Sequence, residues 1–109
     1  MPTRQALRNQ AVTKIIRALS NDTRMNIIEW LKDPKKNFGR QAVGSFEDDG
    51  VCVTLIQQKT GLTQSTASTY MSQLRDAKLV TSKRVGQWTY YKRDEDAIRS
   101  FLSDLQGRL

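Results

Sequence analysis

The 109-residue chain contains no histidine and a single cysteine, Cys52. Without histidine, catalysis through an imidazole base is excluded. One thiol cannot close an intrachain disulfide, which fits a reducing compartment. Soft ligands are so few that no metal site and no cofactor are expected. Acidic side chains are also scarce, 11 against 18 lysines and arginines, which leaves a net charge of +7. No apolar run approaches the roughly 20 residues needed to cross a bilayer. The opening stretch MPTRQALRNQ has no apolar core of the kind a signal peptide carries. A cytoplasmic location with no membrane partner is therefore expected. No paired carboxylates, nucleophile–base set or phosphate-cradling glycine motif is present, so the chain does not read as an enzyme. Its length supports one small domain, 1–109, and a mean hydropathy of −0.60 implies a modest core that favours association with a second copy.

What is present is unevenly placed. Residues 1–40 carry nine basic and three acidic side chains, and residues 61–93 carry six and one. Residues 41–60 and 94–109 are each net acidic. A basic block at 61–93 is the footprint of a phosphate-binding surface, or else the mark of a generic basic protein. Within that block lies the most telling segment, Leu55 to Leu74. It reads as a helix, a turn at Gly61 and a second helix. Ala67, Met71 and Leu74 recur at the spacing of a buried stripe. Gln64, Ser65, Ser68, Thr69 and Ser72 fall on the other face, where a solvated helix normally carries Glu and Lys. Such a face can enter a DNA groove without repelling phosphate and can hydrogen-bond base edges. The plainer reading is a helical hairpin with a polar surface.

Around this segment the pattern is mainly helical. Residues 4–19 form an amphipathic helix with Leu7, Ala11, Ile15 and Leu19 on one stripe, widened by Val12, Ile16 and Ala18. Asn21 caps a second helix over about 22–32, with Met25, Ile28 and Leu31 inward and Ile27 and Trp30 alongside, and Pro34 ends it. Residues 33–51 resist a regular reading and are taken as a long loop, either a tolerated insertion or a binding segment. The helix-turn-helix spans 53–78, with Gly61 as C-cap and Thr63 as N-cap. Residues 79–93, rich in Val, Thr, Tyr and Trp, read as a β-hairpin turning at Gly86-Gln87, with Lys83, Arg84 and Gln87 near its tip. Residues 94–109 return to helix, acidic in the first turn, with Ile98, Phe101, Leu102, Leu105 and Leu109 on a wide apolar stripe. That stripe and the first helix could pack on their own core or bury against a second copy; the small core favours the second.

The order α-α-α-α-β-β-α, mainly α with a small β-hairpin, is that of a winged helix-turn-helix. The wording goes further. Ala18-Leu19-Ser20-Asn21-Asp22-Thr23-Arg24 resembles the "AL(A/S)DPTR" entrance of the ArsR-type (arsenic-repressor-like) bacterial regulators. Leu62 to Ser68 resembles their "LSQSTVS" recognition helix, Leu74 to Val80 their "LREAGLV", and Val85 to Tyr91 their wing. The resemblance covers roughly residues 12–105. It implies a homodimeric, sequence-specific DNA-binding transcriptional regulator, a repressor in most readings, acting on double-stranded operator DNA. It places Gln64, Ser65, Ser68 and Thr69 toward the bases, Thr66 and Tyr70 at the edges of that surface, and Lys83, Arg84 and Gln87 on the wing. It assigns the dimer interface to the terminal helices, 4–19 and 94–109, through Leu7, Ala11, Ile15, Ile98, Phe101, Leu102 and Leu105. Release would come from a small-molecule effector or a modification that the sequence does not name.

The departures matter as well. Metal-sensing members of that family place a "CxC" pair where this chain reads Cys52-Val53-Thr54. Others use Asp, His and Glu between the last helices, and this chain has no His. A metal sensor is therefore not expected. Cys52 stays open between a buried small hydrophobe, a thiol sensor at a helix N-terminus, and a ligand shared across a dimer. A winged helix used for protein–protein contact is the alternative from a different class, though the basic wing argues against it.

Overall fold

In the computed structural model, which describes residues 1–109, six helices and a three-stranded sheet follow one another along the chain. The Thr3 hydroxyl accepts from the Ala6 N–H at 3.0 Å and opens α1 (Arg4–Leu19). The residues α1 buries are Val12, Ile15 and Ala18, all within the expected stripe. The core begins at Val12, and the first turns of α1 stand clear of it, leaving Leu7 and Ala11 exposed. Helix α2 (Asp22–Lys32) is capped by Asn21, whose side chain accepts from the Arg24 N–H at 2.9 Å. It buries Ile27, Ile28 and Leu31, all on the expected apolar side, whereas Met25, expected inside, is exposed.

The 33–51 segment is a loop only in part: 39–50 are irregular, as expected, but the residues before them are helical. Pro34, expected only to terminate α2, begins a further short helix, α3 (Pro34–Phe38), capped by Asp33. Proline is well placed there because the first helical N–H needs no intrahelical partner. After α3 the chain folds back over the sheet and enters β1 (Val51–Cys52). Gln41 clamps the return: its Nε2 donates to the Gly50 carbonyl at 2.8 Å and its Oε1 accepts from the Cys52 N–H at 3.0 Å. Gly50 has φ +95°, and a Cβ there would lie 2.4 Å from the Tyr91 carbonyl oxygen. Only glycine fits, on both counts.

Helix α4 (Val53–Thr60) ends at Gly61 in the left-handed conformation, and α5 (Gln64–Asp76) follows from its Thr63 cap. The exit of α5 is a Schellman motif: Leu79 N–H donates to Leu74 O at 3.0 Å and Lys78 N–H to Arg75 O at 2.8 Å. Lys78 occupies its left-handed position at φ 65°, the sole non-glycine residue with positive φ. Strands β2 (Val80–Val85) and β3 (Trp88–Arg93) form the expected hairpin, but β1 adds a third strand on the outer side of β3, giving the antiparallel order β1-β3-β2. Helix α6 (Glu95–Arg108), capped by Asp94, packs along α1.

One apolar cluster joins α1, α2, α4, α5, the sheet and Phe101 of α6. No buried side-chain nitrogen or oxygen lacks a partner. No helix is long and apolar enough to cross a membrane. Of the residues expected in a dimer interface, Ile15 and Phe101 are 6% and 8% exposed within one chain and belong to its own core. Ile98 and Leu105 are half-buried against that core. Leu7, Ala11 and Leu102 remain on the surface, with Ile16 and Leu109 beside them in sequence pattern.

Candidate nucleic-acid interface

Helix α5 is anchored by its apolar side. Ala67, Met71 and Leu74 are 0% exposed, and burial of Met71 and Leu74 contributes about 2 kcal/mol each. That anchorage turns the opposite face outward. Gln64, Ser65, Ser68 and Thr69 are all exposed, as their sequence spacing predicts. Gln64, Ser65 and Ser68 have no side-chain hydrogen bond within the chain. Thr69 is different: its hydroxyl donates to the Ser65 carbonyl at 3.0 Å, which leaves its methyl and its lone pairs outward. Thr66 is held at the helix start, its N–H and hydroxyl both bonded to the Thr63 hydroxyl at 3.2 and 3.0 Å.

Tyr70 belongs to a lock between α2 and α5. Its ring lies 5.0 Å from the Arg24 guanidinium, and its hydroxyl accepts from Asn21 Nδ2 at 3.4 Å. Arg24 also donates to the Ala18 carbonyl at 2.7 Å and to Gln73 Oε1 at 2.9 Å. One side chain thereby fixes the end of α1, the start of α2 and the middle of α5. The sequence pointed to this stretch only as a family-like string; the cross-helix bonds, 49 residues apart, left no local signal. Lys14 and Arg17 of α1 join Arg24, Gln73 and Asp76 around a cleft of about 320 Å³ beside the C-terminal half of α5. These two cations flank the recognition helix and were not expected there.

The wing is less free than its composition suggests. Lys83 does not lie at the tip: it pairs across the sheet with Tyr90 and its Nζ meets Asp49 Oδ1 at 2.5 Å. The Lys83 hydrogen bond, aided by the Ser45 N–H, holds the Asp49 carboxyl below its ordinary value, and Asp49 in turn raises Lys83. Lys92 donates to the Glu47 carbonyl. Arg93 pairs with Glu95 at 2.7 Å and donates to the Ile28 carbonyl at 3.1 Å. Much of the basic block at 61–93 is therefore engaged within the chain. Arg84 and Gln87 are exposed at the tip, Arg84 making one contact, 3.3 Å to the Gly86 carbonyl.

Cys52 is half-buried at the end of β1, where it precedes α4, and its side chain caps nothing. The nearest groups of metal-binding type do not gather: no cluster of three or more His, Cys, Asp or Glu side chains is present.

No protein-family model matches the chain. YbzH of Bacillus subtilis, an HTH-type transcriptional regulator, is 45% identical over 96 residues, which is 88% of this chain and 96% of YbzH. ArsR2 of Halobacterium salinarum, named for the repressor of an arsenical resistance operon, is 31% identical over 96 residues, covering 86% of this chain and 70% of ArsR2. In structure, the chain is similar to the homodimeric winged helix-turn-helix DNA-binding domain of Mb0332 from Mycobacterium bovis, with a TM-score of 0.67 and 25% identity over 99% of this chain and 88% of that one. Regulators of this kind are a non-enzymatic class. Matches of this identity cover most of both sequences, and on them the chain belongs to the ArsR family of winged helix-turn-helix transcriptional regulators.

Proposed function

We propose that the protein is a cytoplasmic, homodimeric repressor that binds an inverted-repeat operator. The observation that carries this reading is the outward face of α5. Gln64, Ser65 and Ser68 are exposed, have no hydrogen-bond partner in the chain, and stand on a helix locked by Arg24. A helix already held in place presents them without rearrangement, so only side-chain rotamer freedom is lost on contacting base edges. Affinity would come from phosphate contacts by Arg84, Gln87 and the cations flanking α5, and preference from Gln64, Ser65, Ser68 and Thr69. Thr66 and Tyr70 support that surface from its edges.

The second copy would join through α1 and α6. Leu7 is 51% exposed, Ile16 44%, Leu102 55% and Leu109 96%, a concentration of bare apolar side chains on the two terminal helices. Covering them removes apolar surface from water. Ile15 and Phe101 then support the interface from below and do not form its surface.

Sequencing of DNA captured by the purified protein, followed by titration of the recovered site, tests the reading. A single inverted-repeat consensus is expected, with affinity falling more than about tenfold between roughly 50 and 200 mM salt. Capture without a consensus, or a flat salt response, overturns it.

A further inference from the structure

The segment that follows α3 does more than cover the sheet. With the N-terminal part of α4 and the outer face of β3 it encloses a cavity of about 420 Å³. That is the size range of small-molecule sites, about 300–1,000 Å³. Its wall is mainly apolar, with Val43, Leu55, Trp88 and Tyr90 contributing and the Cys52 thiol beside them. Tyr90 is 1% exposed, and its hydroxyl is already committed to the Val43 carbonyl at 3.0 Å. Gln41 is committed at both ends of its amide. The wall is therefore mainly ring and methyl surface, and besides Arg40 its uncommitted polar side chains are Thr54 and Gln58.

The mouth differs from the interior. Val43 is 57% exposed and Trp88 43%, a cost that a covering ligand would remove. Arg40 also lines the cavity, is exposed, and has no ion pair or hydrogen bond within the chain. A flat apolar body meets the exposed indole and the Val43 side chain, and one negative charge meets Arg40.

We propose that this cavity binds a small aromatic carboxylate, with the ring against Trp88 and Val43 and the carboxylate on Arg40. The occupant sits against β3 of the wing and α4 of the helix-turn-helix, so this is where an effector would act; that regulatory meaning, though not the binding itself, rests on the DNA-binding role proposed above.

The test uses the intact protein, with trans-cinnamate as probe and cinnamamide as its neutral counterpart. Cys52 is the only thiol, so its alkylation by iodoacetamide, read by mass spectrometry, reports occupancy of this cavity alone. Cinnamate is expected to bind with a Kd of about 0.1–1 mM, given its few heavy atoms. At about four times that concentration it slows Cys52 alkylation about fivefold by mass action. Arg40→Ala, at an exposed position, is expected to weaken cinnamate about fivefold and to leave cinnamamide unchanged. No protection of Cys52 by about 5 mM cinnamate overturns the site, as does equal binding of acid and amide to the unaltered protein. Operator binding without ligand is measured on the same samples. Protein that binds DNA but not cinnamate removes this inference alone, and the opposite result removes the proposed DNA-binding role alone.

Discussion

On α5, Gln64, Ser65 and Ser68 face outward with no partner in the chain. On the wing, Lys83 is bound to Asp49, Lys92 to the Glu47 carbonyl and Arg93 to Glu95. The two regions have similar numbers of polar side chains suited to DNA, but they hold them differently. A helix satisfies its backbone internally, so the side chains opposite its apolar stripe have nothing nearby to bind. A strand takes its neighbours from distant parts of the chain, and here an acidic segment 34 residues away has folded back on the cations. Charge in the sequence is thus a poorer guide to available charge on the wing than amide and hydroxyl groups are on the helix.

The sharpest way to break the comparison is Gln64→Ala. An amide reading a base edge is worth about 1–3 kcal/mol, so operator affinity should fall between about 5-fold and 100-fold. Binding to unrelated DNA and the thermal midpoint should hardly move, because the Gln64 side chain is exposed and makes no hydrogen bond in the fold. Equal loss on operator and random DNA would mean that α5 supplies phosphate contacts only. Arg24→Ala should do the reverse. It removes bonds to Ala18 and Gln73 and the stack on Tyr70, a loss of about 1–2 kcal/mol of stability. Thermal unfolding should show that loss first, with weaker DNA binding as its consequence.

Helical features were legible in the sequence where they were local. The caps Asn21, Thr63 and Gly61, the buried Ala67–Met71–Leu74 stripe and the turn at Gly86 all lie where periodicity and turn chemistry place them. The exposed face of α5 followed from the stripe. What could not be read depended on partners far along the chain. Strand β1 is two residues long, too short for an alternating pattern, and exists only because Tyr90 and Tyr91 offer it a ladder. The covering segment is held by Tyr90–Val43 and Lys83–Asp49, contacts 47 and 34 residues apart. The stripe on α1 contains the buried Val12, Ile15 and Ala18, but its Leu7 and Ala11 lie clear of the core, because periodicity alone cannot tell which turns of a helix overhang.

Lys78 is the joint between the two regions, and it is strained. A left-handed residue with a Cβ costs about 1–2 kcal/mol, part of which glycine returns through its own flexibility. Lys78→Gly should therefore stabilise the protein by about 1 kcal/mol, raising the thermal midpoint by about 4 °C. A fall in the midpoint would show that the lysine stem makes compensating contacts.

The smallest effects separate the two cations of the wing. Arg84→Ala should lower the steepness of the salt dependence by about one unit, the signature of one lost phosphate contact. Lys83→Ala should change it less, because Lys83 is held by Asp49. Asp49→Asn releases Lys83 and should increase non-specific DNA affinity about twofold. The pair also fixes a pH window. Asp49 is lowered from 3.8, so its contribution is complete above that value and is lost as pH falls through the lowered value. Lys83 is raised from 10.5, so its contribution is complete below that value and is lost as pH rises through the raised one. Between these limits the wing stays fastened to the segment that covers it. Carbon NMR of the Asp49 carboxyl should give a midpoint below 3.8 that moves upward in Lys83→Ala. An unchanged midpoint in that variant would mean that the Ser45 N–H, not the lysine, holds the carboxylate, and that Lys83 is as available to phosphate as Arg84.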